Sequence, residues 1–575
     1  MKTPLQQNRT LAFVLALVTA SLTGFWLRWH LLGDQIFLDD EWHGFYYAIG
    51  KSPAWLLTHF SIPGATCIPL NFYGWLLGAT TGWSELLLRL PSLASGVLCV
   101  SVGPLLAREI IGSRRAGWLG FLLAVSPLLI FYSRICRPYS AVALLAFASL
   151  LFAARWLRSG GWRPALLFAV TGVLAIYFHL FALVTVAAPL LMTLAYVVSA
   201  RRSEVTRGIV AGPSLRQWIM VTVVIAGGGS ILVLPALIDS LHSTFFNIAL
   251  AGKLSVQSLP RVAQLISGTG QPVLTVLFWT AFIAGALEQC RRNPWFGAML
   301  VSLYPLHALA LILSRPDSAQ SAIVLARYCI PLVPVSLLFV ACGIQAGLEA
   351  VAKYSSLQPG LQTSIALAWV ASLALTGPLP QCYVAPNNFT SHGAYQHHYG
   401  SIDWRQSFAS DLTPADFTLV TTLRSDEISP FYLLLASRPS ARPIVEYPML
   451  IGDHFNPLYY YQHFHRRPVL VGYTTDMTLS RGLAPGNIYG NTYIDQVLSL
   501  VQDPADLHFR NFLSMDNLAA MRGRGVEYVI LHKRFEAQLP EVALPLPDLT
   551  RLRNQYQKTL GEPCYEDAHI AVFRL

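Results

Sequence analysis

Between residues 11 and 380 the chain returns eleven times to a window long and apolar enough to cross the roughly 30 Å hydrocarbon core of a bilayer. The windows are 11–32, 89–107, 116–133, 139–157, 164–179, 180–199, 217–237, 271–289, 295–313, 328–349 and 362–380. Backbone polar groups in lipid must be satisfied within the segment itself, so runs of this length read as helices. Composition agrees: 54% of the residues are hydrophobic and 12% charged, about half the charged fraction of a soluble chain. The fold class expected is a mostly α polytopic membrane protein, with about eleven transmembrane helices over residues 1–380 and a polar α/β domain over 381–575.

The first window is too long for a signal-peptide core and lacks a small-x-small cleavage pattern before Trp26, so it reads as an uncleaved first span. Residues 69–82 are short, rich in aromatics and interrupted by Pro69, Asn71, Gly74 and Gly78, which suits an interfacial helix lying on the membrane. With the N-terminus inside, the inner segments hold fifteen Lys or Arg and the outer loops before residue 381 hold seven. The positive-inside rule favours that orientation, which puts the C-terminal domain outside a cytoplasmic membrane. The same rule accounts for the net charge of +10 without nucleic-acid binding.

After Leu379 the pattern changes to short β-like runs, FTLVTTL (417–423), PVLVGYT (468–474), VEYVILHK (526–533) and IAVFRL (570–575), with helix-like stretches near 429–437, 456–466 and 515–523. The eight cysteines form no CxxC pair and no zinc spacing. Cys382 and Cys564 bracket the polar region and are either a disulfide or two separate thiols.

Three consecutive carboxylates, Asp39, Asp40 and Glu41, open a long first outer loop (about 33–88) directly after the first span. A base at a membrane edge can be poised by partial desolvation and neighbouring charge, and a second acid there could orient substrate or bind a divalent metal. The plainer reading is an N-cap for a helix over 42–50. In YSRICRPYS (132–140), Arg134 and Arg137 lie on the side where the charge rule expects few arginines. They suit phosphate, which a guanidinium grips through paired N–H donors, or they snorkel to lipid headgroups. Arg327, in ARYCIPLVP (326–334), has the same two readings. His179, between two apolar windows, reads as a hydrogen-bonded core histidine. The HHYG run (397–400) and YYYQHFHRR (459–467) read as solvated surface of the outer domain. No P-loop, Rossmann glycine pattern or GxSxG is present.

The acidic pair after a first span, then LLLRLPSLASGVL (86–98), AREIIGSRRAGWLGFLLAVSPLLIFYSRICRPYS (107–140) and ARYCIPLVP, resemble in their order the GT-C glycosyltransferases. The likeness is to the RgtA/B/C/D-like and protein mannosyltransferase-related members, which include the aminoarabinose transferases. It is strongest over 35–200 and weaker to 380. The resemblance implies an enzyme that moves a sugar from a polyprenyl-phosphate donor to a lipid, polysaccharide or protein acceptor at the outer face of the membrane, inverting the anomeric carbon. Asp40 would be the base, Glu41 would support substrate or metal, and Arg134, Arg137, Tyr139 and Arg327 would contact the carrier phosphate. The additional Asp39 is a further binding candidate and leaves open which acid is the base. Many relatives carry a double proline before the interfacial helix, whereas TCIPLNFYG (66–74) has one. A transporter or flippase, or a non-catalytic scaffold, is the alternative. Charge concentrated at the outer edge rather than at mid-membrane speaks against a transporter.

Overall fold

A computed structural model describes residues 4–30, 32, 41, 51–60, 67–82, 84–202, 212–250, 256–316, 322–354, 358–377, 379, 429–440, 442–447, 465, 467, 515–523, 525–533 and 549–575. The apolar windows become helices: α1 Pro4–Trp29, α4 Glu85–Ile111, α5 Ser113–Val125, α6 Pro127–Ser133, α7 Tyr139–Ser159, α8 Trp162–Phe178, α9 Leu183–Arg202, α10 Leu215–Leu250, α12 Pro272–Arg292, α13 Pro294–Ser314, α15 Val333–Tyr354 and α16 Pro359–Leu375. Between them lie α2 Pro53–Thr58, α3 Ile68–Ala79, α11 Leu259–Ser267 and α14 Ala322–Tyr328. Among the described residues, eight helical stretches are long and apolar enough to span, or nine if the bent pair α5 and α6 counts as one span. Residues 162–178 and 360–375 are apolar but shorter, so length and composition alone do not fix the count of eleven. At 12 residues, or about 18 Å, α3 is too short to cross.

Two ends of the bundle can be distinguished by where α1 begins (the near end) and where it finishes (the far end). At the near end, Arg108 of α4 donates to Thr10 of α1, and Arg158 of α7 donates to the Glu109 carbonyl. Arg115 of α5 bridges Glu288 of α12 at 2.7 Å and Glu349 of α15 at 3.2 Å, and Arg292 closes the network on both acids. One helix from each part of the chain is thus tied at that end. The 36 residues of α10 extend about 54 Å, more than a bilayer core, so the helix continues beyond its apolar section, Leu215–Asp239.

The bend between α5 and α6 is 59° and has a local cause. Pro127 lacks the N–H that would have bonded the Leu123 carbonyl. The guanidinium of Arg28, fully buried, supplies the replacement: it donates to the carbonyls of Leu123 and Ala124 at 3.1 Å each. The break directs α6 toward the turn that carries Arg134 and Arg137.

Helices α12 and α15 meet backbone to backbone. A Cβ on Gly285 would overlap the Phe339 carbonyl oxygen, and one on Gly343 would overlap that of Ala281. Without a hydrophobic drive between helices in lipid, such small-residue seams hold helix pairs by close van der Waals approach.

In the C-terminal region four strands form one mixed sheet in the order β1 Ile444–Tyr447, β2 Tyr528–His532, β4 Ile570–Arg574, β3 Tyr565–Glu566. β1 runs parallel to β2, and the other two pairings are antiparallel. Helices α17 Pro430–Ser437, α18 Met515–Gly523 and α19 Leu549–Leu560 accompany it. The runs expected at 526–533 and 570–575 are β2 and β4, and the stretches near 429–437 and 515–523 are α17 and α18. The expected runs at 417–423 and 468–474, the HHYG run and Cys382 lie outside the described residues, as does all of 459–467 except His465 and Arg467. Cys564 is exposed, and its pairing with Cys382 falls outside the described residues. Glu446 of β1 is buried; its Oε2 accepts from the Tyr432 hydroxyl at 2.7 Å, and its Oε1 lies 3.3 Å from His465 Nε2.

At the sheet edge Arg553 grips Glu566 with two bonds of 2.7 and 2.6 Å, and Lys533 adds a third contact at 2.7 Å. The Arg553 hydrogen bonds hold the Glu566 carboxyl down at about 2, against partial desolvation. A depressed carboxylate stabilises the folded state fully above its ordinary value near 4.5 and loses that contribution as pH falls toward 2. Acidification from pH 5 to 2 is therefore expected to loosen this sheet, and Glu566→Gln to flatten that pH dependence, read by hydrogen exchange of the β3–β4 amides. Gly343→Ala is expected to cost about 3 kcal/mol because backbone must move to admit the methyl. Gly347→Ala, on the same helix facing open space, should be neutral or slightly stabilising. Melting of the detergent-solubilised protein compares the two.

Candidate active site

A second set of charges gathers at the far end of the bundle. Glu41, in the first loop, is completely buried, and Arg89 in the first turns of α4 meets it with Nε to Oε1 and Nη2 to Oε2, both at 2.8 Å. The same Oε1 accepts the backbone N–H of Cys136 at 2.7 Å. One carboxylate therefore binds the first loop to α4 and to the 134–138 turn. Beside it the Ser92 hydroxyl donates to the Arg137 carbonyl at 2.9 Å, fixing that turn against α4 a second time.

The two arginines of YSRICRPYS turn in different directions. Arg134 is fully buried and donates to the carbonyls of Leu27, Arg28 and His30, the last at 2.7 Å. Those are the final carbonyls of α1, where a cation satisfies orphan acceptors and opposes the helix dipole. Arg137 instead lies over the ring of Tyr139, with its Cζ 5.6 Å from the centroid, and donates to the Tyr139 hydroxyl at 3.4 Å. Arg327, 190 positions later, lies 5.8 Å from the same ring and 5.7 Å from that of Tyr328. Two guanidinium groups thus share one aromatic platform. Arg327 and Tyr328 are only partly buried, so the cluster reaches accessible space.

Histidines close the cluster. The His179 ring lies 5.7 Å from Tyr139 and 6.1 Å from Tyr328, and His307 bonds the Tyr328 carbonyl at 2.9 Å.

Of the residues singled out from sequence, Glu41, Arg134, Arg137, Tyr139 and Arg327 meet at this end, while Asp39 and Asp40 lie outside the described residues. Arg89, the arginine of LLLRLPSLASGVL, proves to be the partner of Glu41. The available signal was its setting: a single arginine within LLLRLP needs a buried acid. Among the described residues no three His, Cys, Asp or Glu side chains gather as a metal site. Glu41, with both oxygens engaged by a guanidinium, is poorly suited to ligate a cation. A separate cavity of about 520 Å3 opens at the near end between Glu109, Arg155, Arg158 and Arg163.

No family model and no curated protein matches the chain. Among solved structures it is similar to ArnT from Cupriavidus metallidurans in the apo state, with 14% identity and a TM-score of 0.47 over 98% of both chains. It is also similar to the same protein bound to undecaprenyl phosphate, with 15% identity and a TM-score of 0.47 over 98% of this chain and 97% of that one. The Archaeoglobus fulgidus oligosaccharyltransferase in complex with Zn and sulfate gives 15% identity and a TM-score of 0.41, over 90% of this chain and 68% of that one. No residue correspondence follows from identities this low.

Removing one member of the buried Glu41–Arg89 pair leaves an uncompensated charge, and Glu41→Leu or Arg89→Met alone is expected to cost about 3–5 kcal/mol. The double variant should recover much of that loss. Thermal melts of the three variants in one detergent give the coupling energy.

Proposed function

We propose that the chain is a membrane-embedded glycosyltransferase that moves a sugar from a polyprenyl-phosphate donor to an acceptor hydroxyl at the outer face of the cytoplasmic membrane. The observation that carries this reading is the convergence at the far end. Glu41 is pinned to the 134–138 turn, and Arg137 and Arg327 share the Tyr139 ring beside that turn. Asp40 precedes Glu41 by one peptide, about 3.8 Å between Cα atoms, so the clamp on Glu41 also limits where Asp40 can go. The charge rule makes the far end the outer face.

In this reading Asp40 accepts the proton of the acceptor hydroxyl as its oxygen attacks the anomeric carbon. The bond from that carbon to the phosphate oxygen breaks with inversion. Both electrons leave with the polyprenyl phosphate, and the proton stays on Asp40. Arg137 and Arg327 face the charge that develops on the departing phosphate, where fixed cations are most effective. Glu41 positions this loop and does no chemistry, since Arg89 and the Cys136 amide hold its oxygens. Arg134 acts at one remove by holding α1 to the turn.

Asp40→Asn is expected to lower turnover at least about 100-fold while leaving expression and melting unchanged. Release of polyprenyl phosphate from a labelled donor measures it. Undiminished release would reject Asp40 as the base, and donor movement across vesicles without release would favour the flippase.

A further inference from the structure

His179 occupies the turn between α8 and α9 and begins a short 3-10 segment, Leu180–Ala182. Its Nδ1 accepts the backbone N–H of Phe181 at 3.2 Å. A nitrogen that accepts cannot carry the proton, so in the neutral ring the hydrogen is on Nε2. That Nε2–H has no hydrogen-bond partner among the described residues, although the side chain is nine-tenths buried. The residue as a whole is buried, but this nitrogen keeps accessible surface from which a ligand atom could accept. The ring stands against Tyr139 and Tyr328, the two aromatic rings on which Arg137 and Arg327 lie.

We infer that His179 Nε2–H is a neutral hydrogen-bond donor to a phosphate oxygen of the lipid carrier, completing the site of Arg137 and Arg327. This rests on the glycosyltransfer reading for the identity of the ligand. Chemistry favours a neutral donor as the third group. A third cation would repel the two guanidinium groups in a desolvated site, whereas an N–H directs one oxygen without adding charge. A bond from a neutral donor to a charged acceptor changes affinity by roughly 10- to 100-fold.

The two roles of the ring can be separated by substitution. Asn is a good cap, so His179→Asn can still accept from the Phe181 amide, but its side chain stops short of the Nε2 position. His179→Gln reaches that position with an N–H. Binding of a short polyprenyl monophosphate and of the matching alcohol to the full-length protein in detergent is compared for wild type and both variants. The wild type should prefer the phosphate, His179→Asn should lose about 10- to 100-fold of that preference with melting unchanged, and His179→Gln should recover part of it. An undiminished preference in His179→Asn overturns the inference and leaves the phosphate site intact. No preference in the wild type overturns the glycosyltransfer reading itself. If His179→Asn does not fold, wild-type protein labelled with 15N-histidine decides the matter. An Nε2–H resonance, assigned by its loss in His179→Gln, must move with the phosphate and not with the alcohol, and a static resonance overturns the inference.

Discussion

A buried carboxylate held by a buried guanidinium organises the far end of this protein. Neither Glu41 nor Arg89 has any exposed side-chain surface, and each makes the other tolerable in an apolar setting. Such a pair adds little net stability compared with a packed hydrophobic pair, so its value lies in specificity. It holds Glu41 of the first loop against α4. By also accepting the Cys136 amide, Glu41 links that loop to the turn where Arg137 begins its contact with Tyr139.

The other buried arginines act in the same way, as fasteners between helix ends. Arg28 satisfies the carbonyls that Pro127 strands at the end of α5, and Arg134 satisfies the last carbonyls of α1. At the opposite end Arg115, Arg292, Glu288 and Glu349 tie α5, α12 and α15 together. Between the two ends, the contact of Gly285 and Gly343 with facing backbone fixes α12 against α15. Arg327, on α14 just before α15, lies 5.8 Å from the Tyr139 ring.

Hydropathy made the helices legible, because a span is specified by length and apolarity and needs no knowledge of its neighbours. The 59° break at Pro127 instead falls inside the single window expected over 116–133. Pairings across the sequence were not legible. Glu41 and Arg89 lie 48 positions apart, and the sequence around neither one points to the other. Arg134 and Arg137 looked equivalent, yet one caps α1 and the other meets Tyr139, because a non-helical turn does not fix the face from spacing. The strand Ile444–Tyr447 was missed since four residues after a proline carry almost no period, and the two-residue β3 carries none.

The central claim is that the loop acid and the distant arginines serve a single lipid-phosphate site at the far end. Photo-cross-linking with a polyprenyl phosphate bearing a diazirine on its first isoprene unit tests it most directly. Peptides spanning 38–47, 132–140 and 326–334 should be labelled together, and competed by unlabelled phosphate but not by the alcohol. Labelling confined to the near-end cleft of Glu109, Arg155 and Arg163 would contradict the claim.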